Sequence, residues 1–230
     1  MFEELLALQN PHWQQTRYEE GVRRDALDKV LSYLDIPHVI SIVGVRRCGK
    51  STLLRQMINY LLSERGVEPE RILFLNLETP ALGALRHDIT NLETLYSDYL
   101  KLAKPKGQIY FFLDEAHFFP EWQIFVKSHY EQKKIKFFIT GSNSQLLSSE
   151  YITLLSGRTL PVEIFPFSFA EFIRARGMND RDPIGLAARA DHLKSLLEEY
   201  LQFGGFPEVA FLTDATVKSE ILSMYSRNIL

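Results

Sequence analysis

The chain has 230 residues, 46% hydrophobic and 24% charged, enough for one α/β domain with a smaller appendage and too apolar for a disordered chain. Its net charge of −3 and pI near 6.1 exclude a general basic field for nucleic acid. A charged-then-apolar leader and a run of about 18 apolar residues are both missing, so neither secretion nor membrane spanning is expected.

Phe2 to Leu8 reads as a short helix, broken by Asn10-Pro11-His12-Trp13. A second helix is predicted over Arg24 to Leu34, and Pro37 closes the approach to a first strand, His38 to Val43. That strand runs into Gly44-Val45-Arg46-Arg47-Cys48-Gly49-Lys50-Ser51, which meets every required position of the phosphate-loop pattern G-x-x-x-x-G-K-[ST]. Leu53, Leu54, Met57, Ile58, Leu61 and Leu62 then mark one apolar helical face.

A second strand, Arg71 to Leu77, has the unbroken apolar character of a strand buried on both faces. A helix from about Leu92 to Leu102 precedes the third strand, Ile109 to Leu113, which delivers Asp114-Glu115. After a helix around Trp122 to Tyr130, the fourth strand, Lys136 to Thr140, ends in Gly141-Ser142-Asn143-Ser144. A fifth runs from Thr159 to Phe165. Strands alternating with helices predict a parallel sheet with helices on both faces, and a ligand beyond its carboxyl edge.

Beyond Pro166 only helices are predicted. Ser168 to Arg176 opens with a Ser168–Glu171 capping box, and Leu186 to Leu201 is longer. Gly204-Gly205-Phe206-Pro207 is a sharp break, and Thr216 to Leu230 carries Val217, Ile221, Tyr225 and Ile229 on one face. We therefore expect an N-terminal helical segment (1–36), a core with a five-stranded parallel sheet (37–166) and a small helical lid (167–230). The apolar end without a C-cap glycine leads us to expect a chain cut before a further domain.

Within the loop, curled backbone N–H groups and the following helix N-terminus make an anion nest for phosphates, from Gly44 through Thr52. Lys50 would reach the β- and γ-phosphates of a nucleotide and Ser51 would ligate Mg²⁺. Arg46 and Arg47 could face phosphate, an acidic partner or solvent. Cys48 reads as a space-filler, and as the single cysteine it fits a reducing, cytoplasmic setting.

Neighbours on a strand point to opposite faces, so the two adjacent acids should do different work. Asp114 would hold the Mg²⁺ shell opposite Ser51, and Glu115 would polarise the water attacking the γ-phosphate. Asn143 is a candidate sensor, a task Ser142 or Ser144 could share, although either serine could equally cap a helix. Arg158, immediately before the fifth strand, is a candidate arginine finger acting in cis or from a neighbouring subunit, or else a structural ion pair. Tyr18, Val22 and Arg23, in the segment before the first strand, are candidates for adenine contact or else for surface packing. His117 and His129 have no partners at metal-ligand spacing.

The phosphate loop with Thr52-Leu53-Leu54, Phe112-Leu113-Asp114-Glu115, Ile139-Thr140-Gly141-Ser142-Asn143-Ser144, Leu155-Ser156-Gly157-Arg158, Phe165-Pro166-Phe167-Ser168-Phe169 and Tyr200 to Glu208 together resemble the archaeal-type, AAA-like P-loop ATPases. The resemblance implies a P-loop NTPase core of AAA+/STAND type, strand order 5-1-4-3-2 and a helical lid. It also implies ATP rather than GTP, with the Asn-Lys-x-Asp guanine-reading sequence missing. Gly205 and Pro207 would correspond to the Gly-x-Pro element near adenine and ribose. Relatives often carry a C-terminal winged-helix or nuclease-like domain and an Asp-Glu-Ile-Gln sequence where this chain has Asp114-Glu115-Ala116-His117. The expected function is Mg²⁺-dependent ATP hydrolysis by a switch or motor, possible as a homo-oligomer. The alternatives are a nucleotide-holding regulatory module and a DNA-associated ATPase that contacts DNA through the further domain.

Overall fold

Five strands form one parallel sheet in the order β2-β3-β4-β1-β5, which is the expected 5-1-4-3-2. They are β1 (Val39–Val43), β2 (Ile72–Asn76), β3 (Ile109–Asp114), β4 (Ile135–Gly141) and β5 (Thr159–Glu163). This computed structural model describes residues 2–85, 88, 90–141 and 154–229. Every residue of β1, β3 and β4 is buried, as central parallel strands require. β5 pairs with β1 alone and buries only Val162 fully, which is how Pro161 is tolerated within it.

One face, with Phe111, Leu113, Phe137 and Ile139, packs under α1 (Glu3–Gln9), α4 (Thr90–Ala103) and α5 (Trp122–Glu131). The other, with Ile40, Ile42, Phe112 and Phe138, packs under α2 (Ala26–Leu31) and α3 (Lys50–Ser63). A third apolar cluster, built on Phe167, Phe172, Ile173 and Leu196, joins the helices that follow β5. These are α6 (Phe169–Ala175), α7 (Pro183–Ala188), α8 (Ala190–Phe203), α9 (Pro207–Ala210) and α10 (Ala215–Ile229).

Three local expectations are corrected. The helix predicted over Arg24 to Leu34 is confined to α2, because Arg24 turns its side chain into the interior. The helix predicted from Leu186 is two helices, α7 and α8, meeting at Arg189. On α10 the buried stripe runs through Lys218 and Tyr225, with Val217 39% exposed. Lys218 can take an inward position because its ammonium meets Glu199 and lies 5.0 Å from the Phe203 ring centroid.

The break at Asn10 to Trp13 has a purpose that composition does not reveal. β2 is an edge strand, and this segment covers its outer side with side chains in place of another strand. Asn10 Nδ2 donates to the Phe74 carbonyl (3.0 Å) and its Oδ1 accepts from the Phe74 amide (2.7 Å). Gln9 Oε1 accepts from the Asn76 amide (2.7 Å), and His12 Nε2 and Trp13 Nε1 both donate to the Ile72 carbonyl (3.0 and 2.9 Å).

His12 is 1% exposed, and burial lowers its pKa from 6.5 to about 4, against opposing pulls from the Ile72 carbonyl and Glu70. The folded chain thus holds His12 neutral while the unfolded chain takes up a proton below about pH 6.5. The stability from this group is whole above that pH and falls by up to about 3 kcal/mol as pH drops towards 4. Urea unfolding at pH 7 and pH 4.5 should therefore show a steeper acid loss for the natural chain than for His12→Gln. Equal losses would contradict this account.

Candidate functional site

β1 ends at Val43 and α3 begins at Lys50, so the six residues between them form the loop that the phosphate-loop spacing predicts. A Cβ on Gly44 would stand 2.4 Å from the Ile164 carbonyl oxygen and 2.8 Å from Cys48 Sγ. Gly49 has φ +100°, and a Cβ there would meet Arg24 Nη1 at 2.5 Å. Space demands a glycine at both positions, and at Gly49 so does backbone conformation. Lys50 is 4% exposed, and its Nζ donates to the Gly44 and Val45 carbonyls (3.2 and 3.3 Å). Cys48 is fully buried, and burial pushes its thiol up, which suits a space-filler.

Asp114 is the last residue of β3 and is 1% exposed. Thr140 Oγ1 donates to its Oδ1 (2.5 Å), and the Ser51 hydroxyl also bonds it. Burial raises its pKa and these two hydroxyls oppose that shift. Glu115 lies past the strand in the left-handed region (φ 53°, ψ 52°), with its amide donating to Thr140 Oγ1 (2.8 Å). Strand alternation is therefore not what separates the two acids. The turn at Glu115 brings its Oε1 to 3.5 Å from Lys50 Nζ, while Asp114 meets Ser51. His117 Nδ1 lies 3.4 Å from Glu115 Oε2, a neighbour that ligand-spacing arguments about histidine missed. Burial lowers the His117 pKa; Glu78 opposes this, while Lys50 and Arg46 reinforce it.

The two loop arginines go separate ways. Arg46 pairs with Glu78, just past β2. Arg47, at φ +66°, reaches the C-terminal helices: its Nη1 meets Glu208 Oε2 (2.6 Å) and Tyr225 Oη (3.0 Å), and its guanidinium lies 5.0 Å from the Tyr225 ring centroid. The Tyr225 hydroxyl also donates to Glu208, and with Arg47 holds that carboxyl below the usual range. Pro207 Cγ is 4.0 Å from where a Gly49 Cβ would be, so Pro207 borders the loop. Gly205 is pressed against the backbone that follows β5, where a Cβ would stand 2.0 Å from the Phe167 carbonyl oxygen. Thr52 faces the segment before β1, 3.7 Å from the Cβ position of Gly21.

Arg24 is the residue sequence reasoning overlooked. It is 3% exposed and donates from Nη1 to the Cys48 carbonyl (2.5 Å), from Nη2 to the Phe165 carbonyl (2.7 Å) and from Nε to Glu171 Oε1 (2.9 Å). Glu171 also completes the predicted capping box with Ser168. One side chain thus ties the phosphate loop, the end of β5 and α6. The partners stand 147 residues apart in the case of Glu171, so local pattern carried no signal for the pair.

Other candidates are not gathered here. Arg158 precedes β5, which runs parallel to β1, so it lies at the amino edge of the sheet, opposite the loop, 3.9 Å from Glu131. That placement corrects the cis alternative for an arginine finger, since β1 itself spans roughly 16 Å between the two edges. Tyr18 is a packing residue on Phe74 and Arg23 pairs with Asp28, whereas Val22 does pack against the apolar cluster of the C-terminal helices. Asn143, Ser142 and Ser144 lie outside the described residues.

Among the described residues no group of three or more His, Cys, Asp or Glu is set to hold a metal, and no helix is long and apolar enough to cross a membrane. The donors that do converge, the Ser51 hydroxyl and the Asp114 carboxylate, are hard oxygens of the kind Mg²⁺ takes while keeping several waters.

An AAA domain family model matches residues 37–173. The chain is 35% identical over 201 residues to an uncharacterized protein of Haemophilus influenzae, covering 87% of this chain and 47% of that one. It is also 35% identical over 192 residues to an uncharacterized protein of Methanocaldococcus jannaschii, covering 83% of this chain and 40% of that one. The chain thus spans less than half the length of these two relatives. Among solved structures, S. cerevisiae Hsp104 in complex with casein superposes with a TM-score of 0.61 at 14% identity, over 96% of this chain and 40% of that one, a likeness of fold. With the strand order and the glycine-lined loop in place, the match over residues 37–173 makes this chain a member of the AAA domain family of P-loop ATPases.

Proposed function

We propose that the chain binds ATP with Mg²⁺ at the Gly44–Ser51 loop and hydrolyses the β–γ bond, so that nucleotide state moves the C-terminal helices as a switch. The observation that carries this reading is the convergence of Lys50, Ser51, Asp114 and Glu115 at one end of the sheet, with Glu115 3.5 Å from Lys50. In this reading loop amides and Lys50 bind the phosphates, and Ser51 and Asp114 hold Mg²⁺. When bound, the metal neutralises phosphate oxygens. Glu115 accepts the proton of the attacking water, and Thr140 keeps Asp114 and the Glu115 amide in place. Pro207, with Gly205 two residues before it, would meet the nucleoside that continues from the phosphates.

Arg158 could serve the site of a neighbouring copy, which is a role for a homo-oligomer. The buried, inert Cys48 thiol accords with a reducing, cytoplasmic setting.

Titration with a fluorescent ATP analogue and Mg²⁺ tests the site. Lys50→Ala should weaken binding about 10- to 100-fold, the value of a charge-assisted phosphate contact. Unchanged affinity would remove the loop from the reading, and binding without phosphate release by the natural chain would leave a nucleotide-holding module in place of a hydrolase.

A further inference from the structure

The partner of Arg46 lies farther across the sheet than its position in the loop would suggest. Arg46 follows β1 and Glu78 follows β2, and these strands are separated in the sheet by β4 and β3. Three strand spacings amount to roughly 14 Å. The ion pair therefore lies across the carboxyl ends of β4 and β3, where Thr140, Asp114 and Glu115 stand.

The other arginines around the loop are committed elsewhere. Arg47 is held by Glu208 and Tyr225, Arg24 is buried against Cys48, Phe165 and Glu171, and Arg158 is at the opposite edge. The Arg46 side chain is 69% exposed and Glu78 is 42% exposed, so their contact is a weak surface pair that a multiply charged phosphate can displace.

We propose that Arg46 acts in cis as the residue that neutralises charge on the γ-phosphoryl group during hydrolysis, with Glu78 as its counter-ion before nucleotide binds. The inference rests on the hydrolase reading above. In the step it assists, the water oxygen bonds to the γ-phosphorus as the bond to the β–γ bridging oxygen breaks, its electron pair remaining on ADP. The water proton passes to Glu115, and Arg46 transfers none. A guanidinium from within the loop can meet two phosphoryl oxygens at once, a geometry an ammonium lacks. A cis finger makes turnover independent of a neighbouring copy.

The test measures phosphate release from Mg²⁺-ATP over a protein concentration series, together with retention of ADP–aluminium fluoride, a mimic of the transferring phosphoryl group. Arg46→Ala should lower kcat by about 10³-fold, as loss of an arginine finger does, with KM changed by less than about 5-fold. Arg46→Lys should recover only part of the loss. The natural chain should retain ADP–aluminium fluoride and Arg46→Ala should not, while both retain ADP, and the natural rate per molecule should not change with concentration.

Natural turnover that survives in Arg46→Ala overturns the proposal and leaves the hydrolase reading standing. So does turnover that rises with concentration and is lost in Arg158→Ala. No turnover and no retention of the mimic by the natural chain brings down the hydrolase reading, and this proposal with it.

Discussion

Arg24→Ala is expected to lower the unfolding free energy by about 3–5 kcal/mol, the cost of breaking a buried ion pair from one side. The guanidinium is 3% exposed and serves three acceptors on three parts of the chain, two of them backbone carbonyls. Its loss strands the Cys48 carbonyl inside the phosphate loop and the Phe165 carbonyl at the exit of β5. Glu171, 4% exposed, keeps the Ser168 and Asp25 amides but loses the guanidinium that stands 2.9 Å from its Oε1. The same change opens space beside Gly49, whose conformation Arg24 walls in, so the loop should loosen and ATP affinity fall along with stability. Urea unfolding measures the first effect and ATP-analogue titration the second. A double variant with Glu171→Gln should lose less than the sum of the two single changes, because the stranded charge is gone. A loss below about 1 kcal/mol, or strict additivity, would show that Arg24 is a surface-like pair in a buried place.

Legibility in the sequence followed how local each feature is. The loop could be read because its spacing is contiguous and each position has its own requirement, whether a glycine pressed on a carbonyl or a lysine over the turn. Strands β1 to β4 could be read because parallel strands buried on both faces are nearly unbroken apolar runs. The Ser168–Glu171 box was legible for the same reason as the loop, its two residues being three apart.

What escaped was made by chain segments meeting from afar. Asn10, His12 and Trp13 look like a helix break, yet with Gln9 at the end of α1 they supply the hydrogen bonds of a missing strand to β2, 59 to 67 residues away. Arg24 looks like the start of a helix. Lys218 looks solvent-facing beside an apolar Val217, and only the nearby Glu199 and Phe203 reverse that preference. The separation of Asp114 from Glu115 is expected from strand alternation, but a left-handed turn at Glu115 produces it. Backbone conformation of that kind has no signature in a glutamate.

Glu115→Gln is expected to lower the rate of phosphate release by about 10²–10⁴-fold, the range lost with a positioned general base. The amide keeps the shape of the side chain and can still face Lys50, but it cannot accept the water proton. Binding should move the other way. Lys50 divides its ammonium between two loop carbonyls and the Glu115 carboxylate at 3.5 Å. Removing that carboxylate charge frees Lys50 for phosphate and removes a repulsion between Glu115 and the γ-phosphate, so ATP affinity should hold or rise. The pairing of these two outcomes is diagnostic, since a variant that merely loosens the loop would lose both. Single-turnover phosphate release and ATP-analogue titration on the same preparation separate them. A variant that hydrolyses at the natural rate would deny Glu115 its role with the water. One that no longer binds ATP would make it a brace for Lys50, a conclusion that would return attention to His117, whose ring nitrogen lies 3.4 Å from the same carboxylate.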